Sequence, residues 1–258
     1  MAPERGDADA AGSSLVLRDL VAEPDDALFS AVYDRVLVPS FAVGELEPLE
    51  VIRAQVTDPR HILRMLACFG ADAEPVAVIT SDWYSRSGVM LIGYLAVRPD
   101  LRRQGTGTKL IERAVVKWNA ELSPALAVAE VEDPRQFQGS DAGDADTGNP
   151  ADRLRLYESL GARVIGVPYF QPKLSDDLER VHGLMLMAFG VDGRLLGDVK
   201  VDSVPTEPIG AFLDEYFEAT EGPPPPQDAE FVNLKARVLS TAEAPLLRAD
   251  ELDRLPQL

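Results

Sequence analysis

The chain has 258 residues, 46% hydrophobic and 26% charged, and a net charge of −18. This is the composition of a globular protein, and its acidity excludes nucleic acid as a partner, since neutralising phosphates needs a basic surface. No apolar run approaches the roughly twenty residues of a membrane span. Cys68 is the only cysteine, which rules out an intrachain disulfide and fits a cytoplasmic location.

Residues 1–14, rich in Ala, Gly and Asp, have neither a basic start nor an apolar core. They read as a flexible tail rather than a secretion signal. Residues 15–20 read as a strand. Leu28, Ala31, Val32, Val36 and Leu37 predict a helix over 27–38 that Pro39 ends. A loop over 41–47 leads to a second helix over 48–56. Strands are expected at 61–70, 75–83 and 89–97, joined by turns at 71–74 and 85–88. From Gly107 to about Leu122, a helix sets Leu110, Ile111, Ala114, Val115 and Trp118 on one face. A strand over 125–131, a polar stretch over 135–150, a helix over 151–160 and strands at 163–169 and 181–189 follow. Beyond them, an amphipathic helix over 208–219 precedes four prolines at 223–226 and a partly ordered stretch at 231–239.

Between Arg98 and Lys109 four basic residues face one Asp, a positive island in an acidic chain. Gly105 and Gly107 let the backbone turn tightly where a helix begins. The unpaired N–H groups and the macrodipole of a helix N-terminus attract an anion such as a pyrophosphate. Neither the dinucleotide fingerprint nor the P-loop fits this spacing.

The run Arg102-Arg103-Gln104-Gly105-Thr106-Gly107, after a strand ending in Val97-Arg98-Pro99, resembles the acetyl-CoA motif of the GNAT superfamily of N-acetyltransferases. Further on, Tyr157-Glu158-Ser159-Leu160-Gly161-Ala162 resembles the superfamily's next signature. The resemblance implies an α/β (α+β) GNAT fold over residues 15–190: a mixed, twisted sheet of about six to seven strands with helices on both faces. Residues 191–258 would form a C-terminal extension. The implied function is direct transfer of an acetyl group from acetyl-CoA to a primary amine of a small-molecule acceptor; the acidity of the chain favours a cationic one. The backbone of Leu95, Ala96 and Val97 would pair with the pantetheine amides, and Arg102, Arg103, Gln104, Gly105, Thr106, Gly107 and Thr108 would hold the pyrophosphate. No metal is implied, and a homodimer stays open. The alternative is a non-catalytic acyl-CoA sensor on the same fold.

Transfer from a thioester to an amine needs a neutral amine, a polarised carbonyl and a protonated leaving sulfur. Tyr157 fits the last task, because a phenol keeps its proton at neutral pH. The resemblance implies that backbone N–H groups of the Tyr94–Val97 strand polarise the carbonyl. Glu130 and Glu132 share one face of their strand by alternation and sit at its C-terminal end. Two neighbouring carboxylates raise one another's pKa, which suits a general base, but they serve equally to bind a cationic acceptor. Glu45 and Asp82 are weaker acidic candidates. His182 reads as an edge histidine, and Cys68 as a small buried thiol. The loops at 39–47, 134–150 and 168–175 carry no recognisable acceptor code.

Overall fold

The computed structural model describes residues 15–41, 46–58, 62–70, 73–136, 149–174, 178–223, 225 and 227–256. The expected N-terminal tail, Glu45 and most of the polar stretch at 135–150 lie outside them. Strand β1 (Val16–Asp19) leads to helix α1 (Asp26–Val32), whose N-terminus is capped by the Asp25 carboxylate accepting from the Leu28 N–H at 3.0 Å. The helix expected over 27–38 changes character after Val32, into a π turn over Tyr33–Leu37 and a 3-10 turn over Val38–Ser40. Pro39 has no N–H to give and its ring crowds the preceding turn, so the regular ladder cannot continue. Helix α2 (Leu49–Val56) begins directly after Pro48.

Strands β2 (Leu63–Phe69), β3 (Pro75–Tyr84) and β4 (Val89–Val97) form an antiparallel meander. Helix α3 (Thr106–Leu122) then crosses over to β5 (Leu126–Glu132), which lies parallel to β4. Helix α4 (Pro150–Ser159) starts with Asn149 as its cap and Pro150 in its first turn, a pre-organised N-terminus. After it come β6 (Arg163–Ile165), β7 (Leu184–Val191), β8 (Arg194–Leu195), β9 (Ser203–Pro205), α5 (Thr206–Glu221), α6 (Ala229–Val238), β10 (Glu243–Leu247) and a 3-10 turn over Ala249–Arg254. Among the described residues the sheet has ten strands in the order β1-β2-β3-β4-β5-β7-β6-β10-β9, with β8 on β7. The count exceeds six to seven because β8, β9 and β10 come from the C-terminal region. β10 docks antiparallel on β6, with Leu247 opposite Val164.

Two expected strands are shorter than their sequence pattern. The strand over 163–169 stops at Ile165; next to it only glycine fits at 166, where a Cβ would lie 2.7 Å from Pro245 Cγ, and the Gly166 N–H still donates to the Pro245 carbonyl at 2.8 Å. The chain turns there, with the Val167 N–H donating to the Ile165 carbonyl, and Tyr169 and Gln171 leave the ladder. The strand over 181–189 accordingly begins at Leu184, and Val181 makes only an isolated bridge with Gln171.

Alternation along the strands divides the core. Ile79, Ile92 and Ala129 face α3 and α4, in one cluster around the fully buried Trp118. The opposite face carries two clusters. Val78 and Ala96 pack under Phe29, Val32, Val36 and Ile52 of the α1–α2 region. Leu91 and Val128 pack under Phe212, Phe217, Phe231 and Leu234 of α5 and α6. The C-terminal helices thus complete the hydrophobic cover of the sheet.

Arg180 ties this cover to the loop before β7. Its guanidinium donates to Glu221 (2.7 and 2.9 Å), Asp228 (2.8 and 2.9 Å) and Glu230 (2.9 Å), and lies 5.4 and 5.5 Å from the Phe170 and Phe217 rings. Its hydrogen bonds hold the Asp228 carboxyl well below the usual range. At Glu221 burial pushes the other way, but Arg180 outweighs it. Arg180→Ala should lower stability by about 2–4 kcal/mol, since it strands the buried Glu221 while Asp228 and Glu230 regain water. A carboxyl whose pKa is depressed on folding stabilises above its unfolded pKa, about 4, and less as pH falls below it. The melting-temperature gap between wild type and variant should therefore be full at pH 7 and narrow as pH falls below about 4. A gap that persists undiminished at low pH would assign the loss to packing alone.

Candidate active site

β4 and β5 are hydrogen-bonded only at one end. Their parallel register runs from Val89 opposite Leu126 to Ile92 opposite Ala129 and stops there. Beyond it, β4 pairs only with β3, and β5 only with β7. The cause is a bulge: Ser81 faces Ile92 and Ile79 faces Leu95, so Gly93 and Tyr94 together oppose Thr80. The Tyr94 N–H donates to the Thr80 hydroxyl at 2.8 Å, and a Cβ on Gly93 would sit 2.9 Å from that oxygen. Gly93 is exposed, so the bulge opens to solvent where the strands part. The β5-facing backbone edge of β4 beyond Ile92 is thus left without a strand partner, the arrangement that accepts an added extended segment.

Along β4 from this gap lies the N-terminus of α3. Gly105 is its cap in the left-handed region (φ 77°), and no side chain caps the first turn. The N–H groups of Thr106, Gly107 and Thr108 are left for an outside acceptor. A Cβ on Gly107 would lie 3.2 Å from Val97 Cγ2, so the helix start is pressed against the end of β4. Arg103 and Gln104 are exposed at this point. Arg102 is turned inward, its Nε donating to the Val97 carbonyl (3.1 Å) and its Nη2 to the Ser40 hydroxyl (3.1 Å). It braces the loop, and it already engages the Val97 carbonyl.

Tyr157 lies on α4, 7% exposed, with its ring edge-on to Phe189 at 5.1 Å. Burial pushes its phenol up, so it keeps its proton at neutral pH. Glu130 and Glu132 have different partners despite their shared strand. Glu130 accepts from the Tyr169 hydroxyl and, at 2.7 Å, from Gln171. Burial nonetheless pushes its carboxyl up. Glu132 pairs with Arg153 of α4 at 3.2 Å. The mutual pair expected from alternation is replaced by one carboxylate held by neutral donors and one held by an arginine.

Two further acids join Glu130 on the α1–α2/α5 side of the sheet, at the seam between the two apolar clusters. Asp82 projects from β3 on the same face as Val78 and Tyr84. Burial pushes its carboxyl up to about 7, with the Glu47 and Glu130 charges adding to the rise. Glu47, just before α2, accepts from Gln55 (3.2 Å), and burial raises its pKa. Its N–H donates to the Tyr94 hydroxyl at 3.1 Å, which fixes this loop to the bulge. His182 stands apart, exposed and 3.2 Å from Glu230 beside the Arg180 clamp. Cys68 is buried in β2, and burial raises its thiol above the range of a reactive thiolate. Glu47 was absent from the sequence reading; only its place in a loop before a helix hinted at it.

Residues 29–135 match the Acetyltransferase (GNAT) family. In fold the chain is similar to a GNAT-family protein from Bacteroides thetaiotaomicron, at 21% identity and a TM-score of 0.51, covering 68% of this chain and 86% of that one. It is also similar to the ribosomal-protein-S18-alanine N-acetyltransferase of Escherichia coli (17% identity, TM-score 0.44, 68% and 92% covered). A spermidine/spermine N-acetyltransferase from Vibrio cholerae is a third such structure (14% identity, TM-score 0.45, 68% and 92% covered). No curated protein matches the chain in sequence. Among the described residues no helix is long and apolar enough to cross a membrane.

Proposed function

We propose that the protein transfers the acetyl group of acetyl-CoA directly to a primary amine of a small cationic acceptor. The observation that carries this reading is the parting of β4 and β5 after Ile92, with an anion-attracting helix start at one end and carboxylates on the far face. The pyrophosphate rests on the N–H groups of Thr106, Gly107 and Thr108, with Arg103 and Gln104 beside it. Arg102 acts by bracing the loop. The pantetheine arm runs along the free edge of β4 at Leu95, Ala96 and Val97. Because Arg102 already engages Val97's carbonyl, Leu95 and Ala96 offer the freer pairing. A backbone N–H on the free edge of β4 beyond the bulge polarises the thioester carbonyl. Tyr157 gives its proton to the leaving sulfur, as a buried phenol that stays neutral is able to do.

On the other face the acceptor meets Glu130, whose orientation is fixed by Tyr169 and Gln171. A carboxylate held by two donors is pre-oriented to bind an ammonium. Glu130→Gln should raise KM for an amine such as spermidine or 1,4-diaminobutane about tenfold and change kcat less, in a steady-state assay of free thiol. An unchanged KM would remove Glu130 from the acceptor site. Competing with this is a sensor that binds acyl-CoA without transferring it; a proton-holding Tyr157 and a Glu130 held at the gap favour the enzyme.

A further inference from the structure

Each acid at the seam but one is already committed. Glu130 accepts from Tyr169 and Gln171, Glu132 pairs with Arg153, and Glu47 accepts from Gln55. The Asp82 carboxylate has no hydrogen-bond or ion-pair partner among the described residues. It sits on β3 opposite Leu91 of β4, one residue before Ile92, the last position at which β4 still pairs with β5. Alternation puts its side chain on the same sheet face as Glu130. An uncommitted carboxylate thus stands at the level where the strands part, beside the one assigned to hold the ammonium.

We propose that Asp82 is the catalytic base, taking the proton from the ammonium that Glu130 holds. The proposal rests on the transferase reading above. One N–H bond of the ammonium breaks, and its proton passes to the Asp82 carboxylate. The freed lone pair forms the N–C bond at the acetyl carbonyl, the C–S bond breaks, and the sulfur takes the Tyr157 proton. The amide nitrogen sheds its second proton, which restores the phenol through solvent, and Asp82 returns its own proton to solvent. Overall, acetyl-CoA and the ammonium yield the amide, free thiol and one proton.

The groups facing Asp82 make it suited to this work. Burial disfavours its charged form, and the carboxylates of Glu47 from the loop before α2 and Glu130 from β5 disfavour it further. Tyr84 of β3, Tyr94 of β4 and Tyr216 of α5 complete the surround, and burial keeps all three protonated. No cationic side chain contributes to the shift, so the carboxyl titrates near neutrality, where a base is most effective. Glu130 is already engaged by Tyr169 and Gln171, which offset part of the rise that burial gives its carboxyl, so it is the less available proton acceptor.

The test compares wild type, Asp82→Asn and Glu130→Gln over pH 5–9 (about two units either side of neutrality), with acetyl-CoA and 1,4-diaminobutane as probes. In wild type, kcat/KM should rise with pH through a limb near 7, because the base must be ionised. Asp82→Asn should lose that limb and lower kcat about a hundredfold while keeping its affinity for acetyl-CoA. Glu130→Gln should keep the limb and suffer in KM. Side-chain carboxyl NMR of the full-length wild type should show Asp82 titrating near neutrality, a readout independent of turnover and of whether the variant folds. An active Asp82→Asn variant with the limb intact, or an Asp82 that titrates as an ordinary carboxylate, overturns the proposal and leaves the transferase reading standing. A wild type that acetylates no amine overturns that reading, and this proposal with it.

Discussion

Tyr157→Phe should bind acetyl-CoA as the wild type does and turn over about ten to a thousand times more slowly. The loss follows from typical general-acid contributions of roughly 10²–10⁴, reduced because water can supply part of the proton. The ring packs edge-on against Phe189 inside the α3–α4 core, and phenylalanine preserves that contact. The substitution therefore removes the hydroxyl and little else, so the fold should survive. Burial keeps the phenol protonated well above neutral pH, so the effect should be nearly constant from pH 6 to 8 (about one unit either side of neutrality). Stopped-flow measurement of thiol release against a binding isotherm for acetyl-CoA separates the two parameters. Full activity of the variant would return Tyr157 to a packing role.

The second large effect is expected at the start of α3. Gly107→Val should weaken acetyl-CoA binding about a hundredfold or more, measured by calorimetry. A Cβ at this position already lies 3.2 Å from Val97 Cγ2, so a branched side chain must push the helix start away from β4. Losing two charge-assisted hydrogen bonds of about 1.5 kcal/mol each corresponds to that factor. Gly105→Val acts differently: nothing lies within 4 Å of a Cβ there, but its φ of 77° is one that a β-branched residue resists. It should disturb the helix start through strain, and an alanine at 105 should cost less. A folded Gly107→Val protein with unchanged affinity would place the cofactor elsewhere.

The features legible in the sequence are those encoded locally. Gly105 and Gly107 beside four basic residues marked the anion-attracting helix start, and period-two alternation put Glu130 at the end of its strand. What escaped depends on contacts distant in sequence. β10 docks on β6 through Leu246 opposite Ile165, a pairing of short segments that no single-strand pattern announces. β6 gives way to a tight turn at Gly166, where Pro245 leaves no room for a side chain, and the chain beyond it brings Tyr169 and Gln171 to Glu130. Asp82 ranked low because its own neighbours are unremarkable; its environment is built from the loop before α2, from β5 and from α5. Arg102 carries the motif and yet points inward, since a sequence pattern fixes residue type but not which side of the loop the chain turns.

α5 links the two halves of this account. It covers the sheet with Phe212 and Phe217, receives the Ser87 N–H on Glu215 at 2.9 Å, and brings Tyr216 to Glu130. The C-terminal region therefore reaches the Glu130 side of the gap as well as the core.

The most direct test of the central claim is mass spectrometry of the small-molecule products after full-length protein is incubated with acetyl-CoA and a panel of diamines and monoamines. The account predicts N-acetylated amine and free coenzyme A in equal amounts, with diamines consumed faster than neutral or anionic amines. Tight binding of acetyl-CoA with no acetylated amine from any member of the panel would contradict it and leave the acyl-CoA sensor as the reading that stands.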